Sequence, residues 1–198
     1  MRTPGQRAGL SRATVLTAAR ELAADQGADA LSMRAVARRL GVAPNALYSH
    51  VASRTDLVDQ LLDDLLAGVR TPGPGADPEA GIEMIMTSTY RTLTAHPELV
   101  PLYLQRQGAR GPNAVALGEV LDALLARAGV DEVPDARRAL IVHAIGFAAF
   151  AGSDVLPADM PVAAFSKSLR WLLAGMTKAP TPQRSEGLRD DAKMMPRP

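Results

Sequence analysis

Apolar residues recur along this chain three and four positions apart, and no stretch alternates as a half-buried strand would. Ser11 reads as the first helix N-cap, with Leu10 and Val15 placed to close over it as a hydrophobic staple. Val15, Leu16, Ala19, Leu22 and Ala23 then form one stripe, and Gly27 ends it. A second helix begins at Ser32, with Val36, Ala37 and Leu40 on its inner face, and Gly41 stops it after about two turns. Pro44 suits the first position of a third helix, where a missing N–H costs nothing; Leu47 and Val51 face inward from it. Ser53 opens a fourth, with Asp56 as a weaker form of the capping box, and Leu57, Leu61, Leu62 and Leu65 carry it to about Val69.

A Pro/Gly-rich break at 70–78 interrupts this pattern. Beyond it, Ile82, Ile85, Met86, Tyr90 and Leu93 form a stripe that ends near His96-Pro97. A short helix is expected from Glu98 to Gln105, another closing at Gly129, and a third from Pro134 to about Gly152. Residues 140–147 are apolar nearly all round, as expected of a buried or interfacial helix. A last helix from about Val162 to Met176 carries Phe165, Leu169, Leu172 and Leu173 on one face. The fold class is therefore all-α. The expected organisation is an N-terminal unit over 1–54 with a basic arm, a connecting helix at 55–69, a linker at 70–78, a C-terminal helical unit over 79–178, and a disordered polar tail at 179–198.

Composition narrows the function. The 198 residues include no cysteine, so disulfides, thiolate metal sites and cysteine nucleophiles are excluded. The N-terminus lacks the apolar core of a signal peptide, and no apolar run is long enough to span a membrane, which makes the cytoplasm the expected location. The net charge of +1 hides an asymmetry. Residues 1–54 carry eight arginines against Glu21, Asp25 and Asp29, a local charge of +5 that suits a polyanionic partner.

Residues 31–57, LSMRAVARRLGVAPNALYSHVASRTDL, place two short helices around a tight turn at Gly41, which is helix-turn-helix grammar. The second helix has to be short and polar outside to enter a major groove about 12 Å wide. The set Ala37, Leu40-Gly41-Val42, Leu47-Tyr48, His50, Ser53-Arg54 and Leu57 resembles the DNA-binding domain of the TetR family over roughly residues 11–60. A weaker resemblance links His96-Pro97, Gly111-Pro112-Asn113 and the 121–129 segment to the ligand domain of the tetracycline-repressor branch. One position departs from the family pattern: Ala43 stands where a capping residue is common, at a local cost of ~1 kcal/mol.

The resemblance implies a set of DNA contacts. Arg34 is placed to bond guanine or clamp phosphate from the supporting helix. Pro44, Asn45, Ala46 and Ser49 form the outer surface of the recognition helix. Asn45 is suited either to reading adenine or to supporting the helix start, and Ala46 to meeting a thymine methyl. Tyr48 and His50 match the family's phosphate-contacting pair, and Arg54 sits where a helix dipole also attracts phosphate. Double-stranded operator DNA and a second copy of the chain are the implied partners, the two copies presenting their recognition helices to successive grooves about 34–36 Å apart.

The C-terminal helices are expected to enclose a small-molecule effector, with Met86, Tyr90, His96, Leu99, Tyr103, His143 and Phe147 as candidate contacts. The elements of a magnesium–tetracycline site beyond His96 are not evident, so tetracycline is not the expected ligand. No Ser/His/Asp set, metal cluster or phosphate-binding glycine loop is visible, so neither enzymatic activity, a metal nor a cofactor is expected. The expected function is a repressor released from a palindromic operator by a ligand; the alternative is a DNA-binding dimer regulated by a protein partner.

Overall fold

The computed structural model describes residues 10–151 and 162–178. The basic arm and the polar tail of the sequence reading lie outside these residues. Eight α-helices are described: α1 (Arg12–Gln26), α2 (Met33–Leu40), α3 (Arg54–Leu66), α4 (Pro78–Thr94), α5 (Val100–Arg106), α6 (Pro112–Arg127), α7 (Val133–Ala151) and α8 (Val162–Lys178). No strand occurs among the described residues.

Local chemistry sets the helix starts. The hydroxyls of Ser11, Ser32 and Ser53 accept from the backbone N–H of Thr14, Ala35 and Asp56 at 3.1, 3.2 and 3.0 Å. Each satisfies a donor that the first helical turn leaves orphaned. At Ser53 the Asp56 carboxylate reaches back to the Ala52 N–H at 2.6 Å, one residue earlier than in the standard capping box. Asp77 caps α4 through Ala80 N–H, with Pro78 at the first helical position.

The third predicted helix is where the structure departs from expectation. Pro44–Ser49 forms a 3₁₀ helix instead of an α-helix, with Ala46 N–H donating to Ala43 O at 2.9 Å and His50 N–H to Leu47 O at 2.9 Å. Ala43 provides no side-chain cap and the segment is only six residues long, a length that suits the tighter winding. Three residues per turn stack Asn45 over Tyr48 and Ala46 over Ser49. Leu47, fully buried, is left as the inward anchor.

The core runs without interruption from Val15 in α1 to Leu173 in α8. Helix α4 is its axis, packing against α6, α7 and α8, while α3 touches α1 on one side and α5 and α6 on the other. The segment after α3 is not a free tether. Val69 is buried, Arg70 N–H donates to Ser88 Oγ at 2.9 Å, and Arg127 Nη2 donates to Ala76 O at 2.7 Å. Both ends of the Pro/Gly-rich stretch are thus held against the C-terminal helices.

Leu47 alone anchors the 3₁₀ segment in the core, so Leu47→Ala is expected to destabilise the protein by about 2–5 kcal/mol. Urea unfolding followed by far-ultraviolet circular dichroism checks this; a change under about 0.5 kcal/mol would place the anchoring elsewhere.

Candidate nucleic-acid interface and sensing cavity

The outward face of the helix-turn-helix is built on two supports. Gly41 ends α2 in the left-handed conformation at φ +65°, and the chain turns there with Val42 N–H bonded to Ala37 O at 3.0 Å. Arg54, in the first turn of α3, donates from Nε to Leu31 O at 2.7 Å, tying the start of α2 to α3. Between these supports Arg34, Pro44, Asn45, Ala46, Tyr48 and Ser49 are exposed, and His50 is half-buried at the edge. Tyr48 keeps 53% of its surface.

Two of the predicted contacts carry structural duties. Ser49 Oγ donates to Ala46 O at 2.9 Å, and Arg54, an exposed residue, spends Nε on the Leu31 carbonyl. The charges are also sorted. Arg39 pairs with Glu21 and Asp25 at 3.1 and 2.7 Å, whereas Arg34 and Arg38 are exposed with no ion-pair partner among the described residues. The unneutralised charge is thus concentrated beside the 3₁₀ segment.

On its opposite side, α3 meets the C-terminal helices through polar groups that periodicity did not reveal. Asp63 is the buried charged residue of the described chain, at 2% exposure. Its carboxylate accepts from the N–H of Ala114 at 2.9 Å and of Asn113 at 3.3 Å, and from Asn113 Nδ2 at 3.0 Å; the same amide bonds Asp63 O at 3.2 Å. A carboxylate thereby caps the N-terminus of α6, where the helix dipole favours negative charge. Gly111 makes this possible. Its φ is +148°, and a Cβ there would sit 2.5 Å from the Asp63 carboxyl carbon. One turn earlier, Asp59 takes a bidentate contact from Arg106 of α5, with both bonds at 2.7 Å. Tyr103, between them, donates its hydroxyl to Leu62 O at 2.7 Å, and burial together with the Asp63 charge raises its pKa well above the ordinary phenol range.

Behind this clasp lies an apolar cavity of about 140 Å³. Leu66 of α3, Met86 and Leu93 of α4, Tyr103 of α5, Leu117 and Leu121 of α6, and Ile141 and Ile145 of α7 contribute walls, with Arg137 of α7 as the charged residue. Of the predicted contacts, Met86 and Tyr103 line it. Tyr90, His143 and Phe147 instead gather around Phe165 of α8: Tyr90 stacks on it at 4.4 Å, His143 at 5.0 Å, and Phe147 meets it edge-on at 5.5 Å. Leu99 is fully buried and does not line the cavity. His96 also falls outside it. That residue follows the end of α4, pairs with Glu98 at 3.4 Å and borders an open groove with Arg20, Asp64 and Arg91. Leu117, Leu121, Ile141 and Ile145 were not among the expected contacts, because helices apolar on several sides give no periodicity signal for the face that borders a void. The acidic pair Asp63-Asp64, set between Leu62 and Leu65, was the available hint of the clasp.

Residues 15–61 match the family described as bacterial regulatory proteins, tetR family. A helix-turn-helix-type transcriptional regulator of Saccharopolyspora erythraea is 37% identical over 121 residues, 61% of this chain and 51% of that protein. The chain spans about half the length of the curated relatives it matches, from 42% to 61%. Among solved structures, BioQ with its natural double-stranded DNA operator is 26% identical, covering 85% of this chain and 98% of that one at a TM-score of 0.70. A TetR variant from Acinetobacter baumannii in complex with minocycline is 27% identical, covering 84% and 96%, at a TM-score of 0.72.

Two outcomes follow from this geometry. Asp63→Ala is expected to cost about 2–3 kcal/mol, since two N–H donors of α6 lose a charged acceptor; equal urea midpoints for variant and wild type would refute the clasp. Burial lowers the His143 pKa, outweighing the opposing contact with the Phe165 backbone. A depressed folded-state value stabilises the protein above the unfolded pKa near 6.5, and that contribution is lost as pH falls through the folded value. Thermal unfolding between pH 7.5 and 5 is therefore expected to lose stability more steeply in wild type than in His143→Gln; parallel slopes would contradict it.

Proposed function

We propose that this chain, whose residues 15–61 match the family described as bacterial regulatory proteins, tetR family, is a ligand-responsive transcriptional repressor of that family, binding a near-palindromic operator as a homodimer. The observation that carries the DNA half is the solvent-facing surface of the helix-turn-helix. Asn45, Ala46, Tyr48 and Ser49 stand outward from a fully anchored Leu47, with Arg34 unpaired beside them. Pro44 and Asn45, at the start of the 3₁₀ segment, meet base edges, Asn45 by its amide and Ala46 by its methyl. Tyr48, His50, Arg34 and the terminal nitrogens of Arg54 hold phosphates and fix the register.

A six-residue reading element is too small to bind tightly alone. Exposed Val142 and Phe150 on α7 and Trp171 on α8 support pairing with a second copy through these two helices. Two reading elements then address successive grooves, and operator symmetry mirrors that of the dimer.

The cavity favours a small-molecule signal over a protein partner. Beside Leu66 of α3, its walls come from α4, α5, α6 and α7; α5 and α6 also hold α3 by polar contacts, and α3 packs against the helix-turn-helix. A ligand that prefers one arrangement of α6 acts on α3 through Asp63, and its leverage equals its difference in affinity for the two arrangements. The minocycline-bound TetR neighbour is consistent with a ligand in such a bundle. As a repressor that binds DNA and catalyses no reaction, the protein acts in the cytoplasm.

The decisive experiment is binding to genomic fragments, including the protein's own promoter, across a salt series. Wild type is expected to select one palindromic fragment. Arg34→Ala is expected to reduce the salt slope by about one, and Tyr48→Ala to weaken binding about tenfold. Absence of any selective fragment at low salt would overturn the operator reading.

A further inference from the structure

The cavity has apolar walls and a single charged residue, and this combination selects among ligands. Arg137 leaves α7 and lies against α6: its Nη1 is 3.4 Å from where a Cβ on Gly118 would stand. Gly118 itself borders the cavity. Nη1 donates to Asp122 Oδ2 at 2.6 Å, while Nε and Nη2 have no hydrogen-bond partner among the described residues. A guanidinium offers five N–H donors in a planar fork, so one contact to Asp122 leaves an edge open. The other side-chain donors at the cavity are spent, Thr89 on Ile85 O at 2.9 Å and Tyr103 on Leu62 O at 2.7 Å. The free side-chain hydrogen-bond donors among the lining residues are therefore those of Arg137.

Size narrows the choice further. A volume of about 140 Å³ is close to the ~150 Å³ at which an apolar protein cavity admits benzene. We propose that the effector bound here is a small monocarboxylate with one aromatic ring or a short alkyl chain. The apolar part fills the space between Met86, Leu93, Leu117 and Ile145, and the carboxylate takes the open edge of Arg137. This assignment deepens the ligand-sensing reading above and rests on it. A carboxylate held by Arg137 bridges α7 and α6, because Asp122 of α6 already holds the other edge of the same guanidinium. Binding thereby acts on the helix that Asp63 caps.

Calorimetry on the full chain, without DNA, tests the assignment with benzoate and its neutral isostere benzamide. In wild type, benzoate is expected to bind about tenfold more tightly than benzamide, the value of one charge-assisted contact. Arg137→Gln is expected to abolish that preference while leaving benzamide within about twofold of wild type, a result that also reports an intact fold. Asp122→Asn, which frees the guanidinium, is expected to retain the preference for benzoate. Equal affinities in wild type, a preference that persists in Arg137→Gln, or no binding of either probe would overturn the proposal. Carboxylate binding by a protein that selects no operator would leave this assignment standing and remove the regulator reading. Operator binding without carboxylate binding would do the reverse.

Discussion

A single buried carboxylate holds the two halves of this molecule in register. Asp63 is surrounded by leucines on α3, and it remains there because the first turn of α6 supplies the N–H donors a buried charge requires. Removing an ionised group from water costs several kcal/mol unless its oxygens are bonded, so the position of α6 relative to α3 is not free to drift. Gly111 is part of the same constraint, since any side chain would occupy the space of the carboxyl group.

Helix α3 works as a shared shaft because its polar residues face two ways. Asp59 and Asp63, four apart, point to Arg106 and to the start of α6. Gln60 and Asp64, also four apart, take Arg12 and Arg20 of α1. One turn separates each pair, so the two grips lie on adjacent stripes of the same helix. Arg54 adds the tie to Leu31. Helix α3 is thus tied by polar contacts to α1 and to the start of α2 on one side and to α5 and α6 on the other.

Much of the fold was legible because its determinants are local. Serines 11, 32 and 53 cap the helices that the apolar stripes announced, and Gly41 turns the chain where a residue of positive φ was needed. The reading element was legible in place but not in winding. With no cap at Ala43 and only six residues, the segment winds as a 3₁₀ helix, which changes which residues share an edge. The C-terminal half was less legible. Met86 and Tyr103 were found at the cavity, whereas His96 and Leu99 sit elsewhere and Tyr90, His143 and Phe147 stack around Phe165. The sequence carries the apolar character of α4 and α7 but not their rotation about their own axes.

By itself the sequence determined an all-helical chain, the helix-turn-helix with its outward residues, and a basic N-terminal end. Each depends on periodicity, capping or charge within a few residues, and such signals survive without knowledge of distant neighbours. Tertiary structure alone decided that Asp63 would be buried and bonded, that Arg137 would stand at a cavity with an open edge, and that His96 would face a groove outside it. Those outcomes depend on which helices meet and at what rotation, and that is set by the simultaneous packing of residues 50 or more positions apart, as Asp63 and Asn113 are.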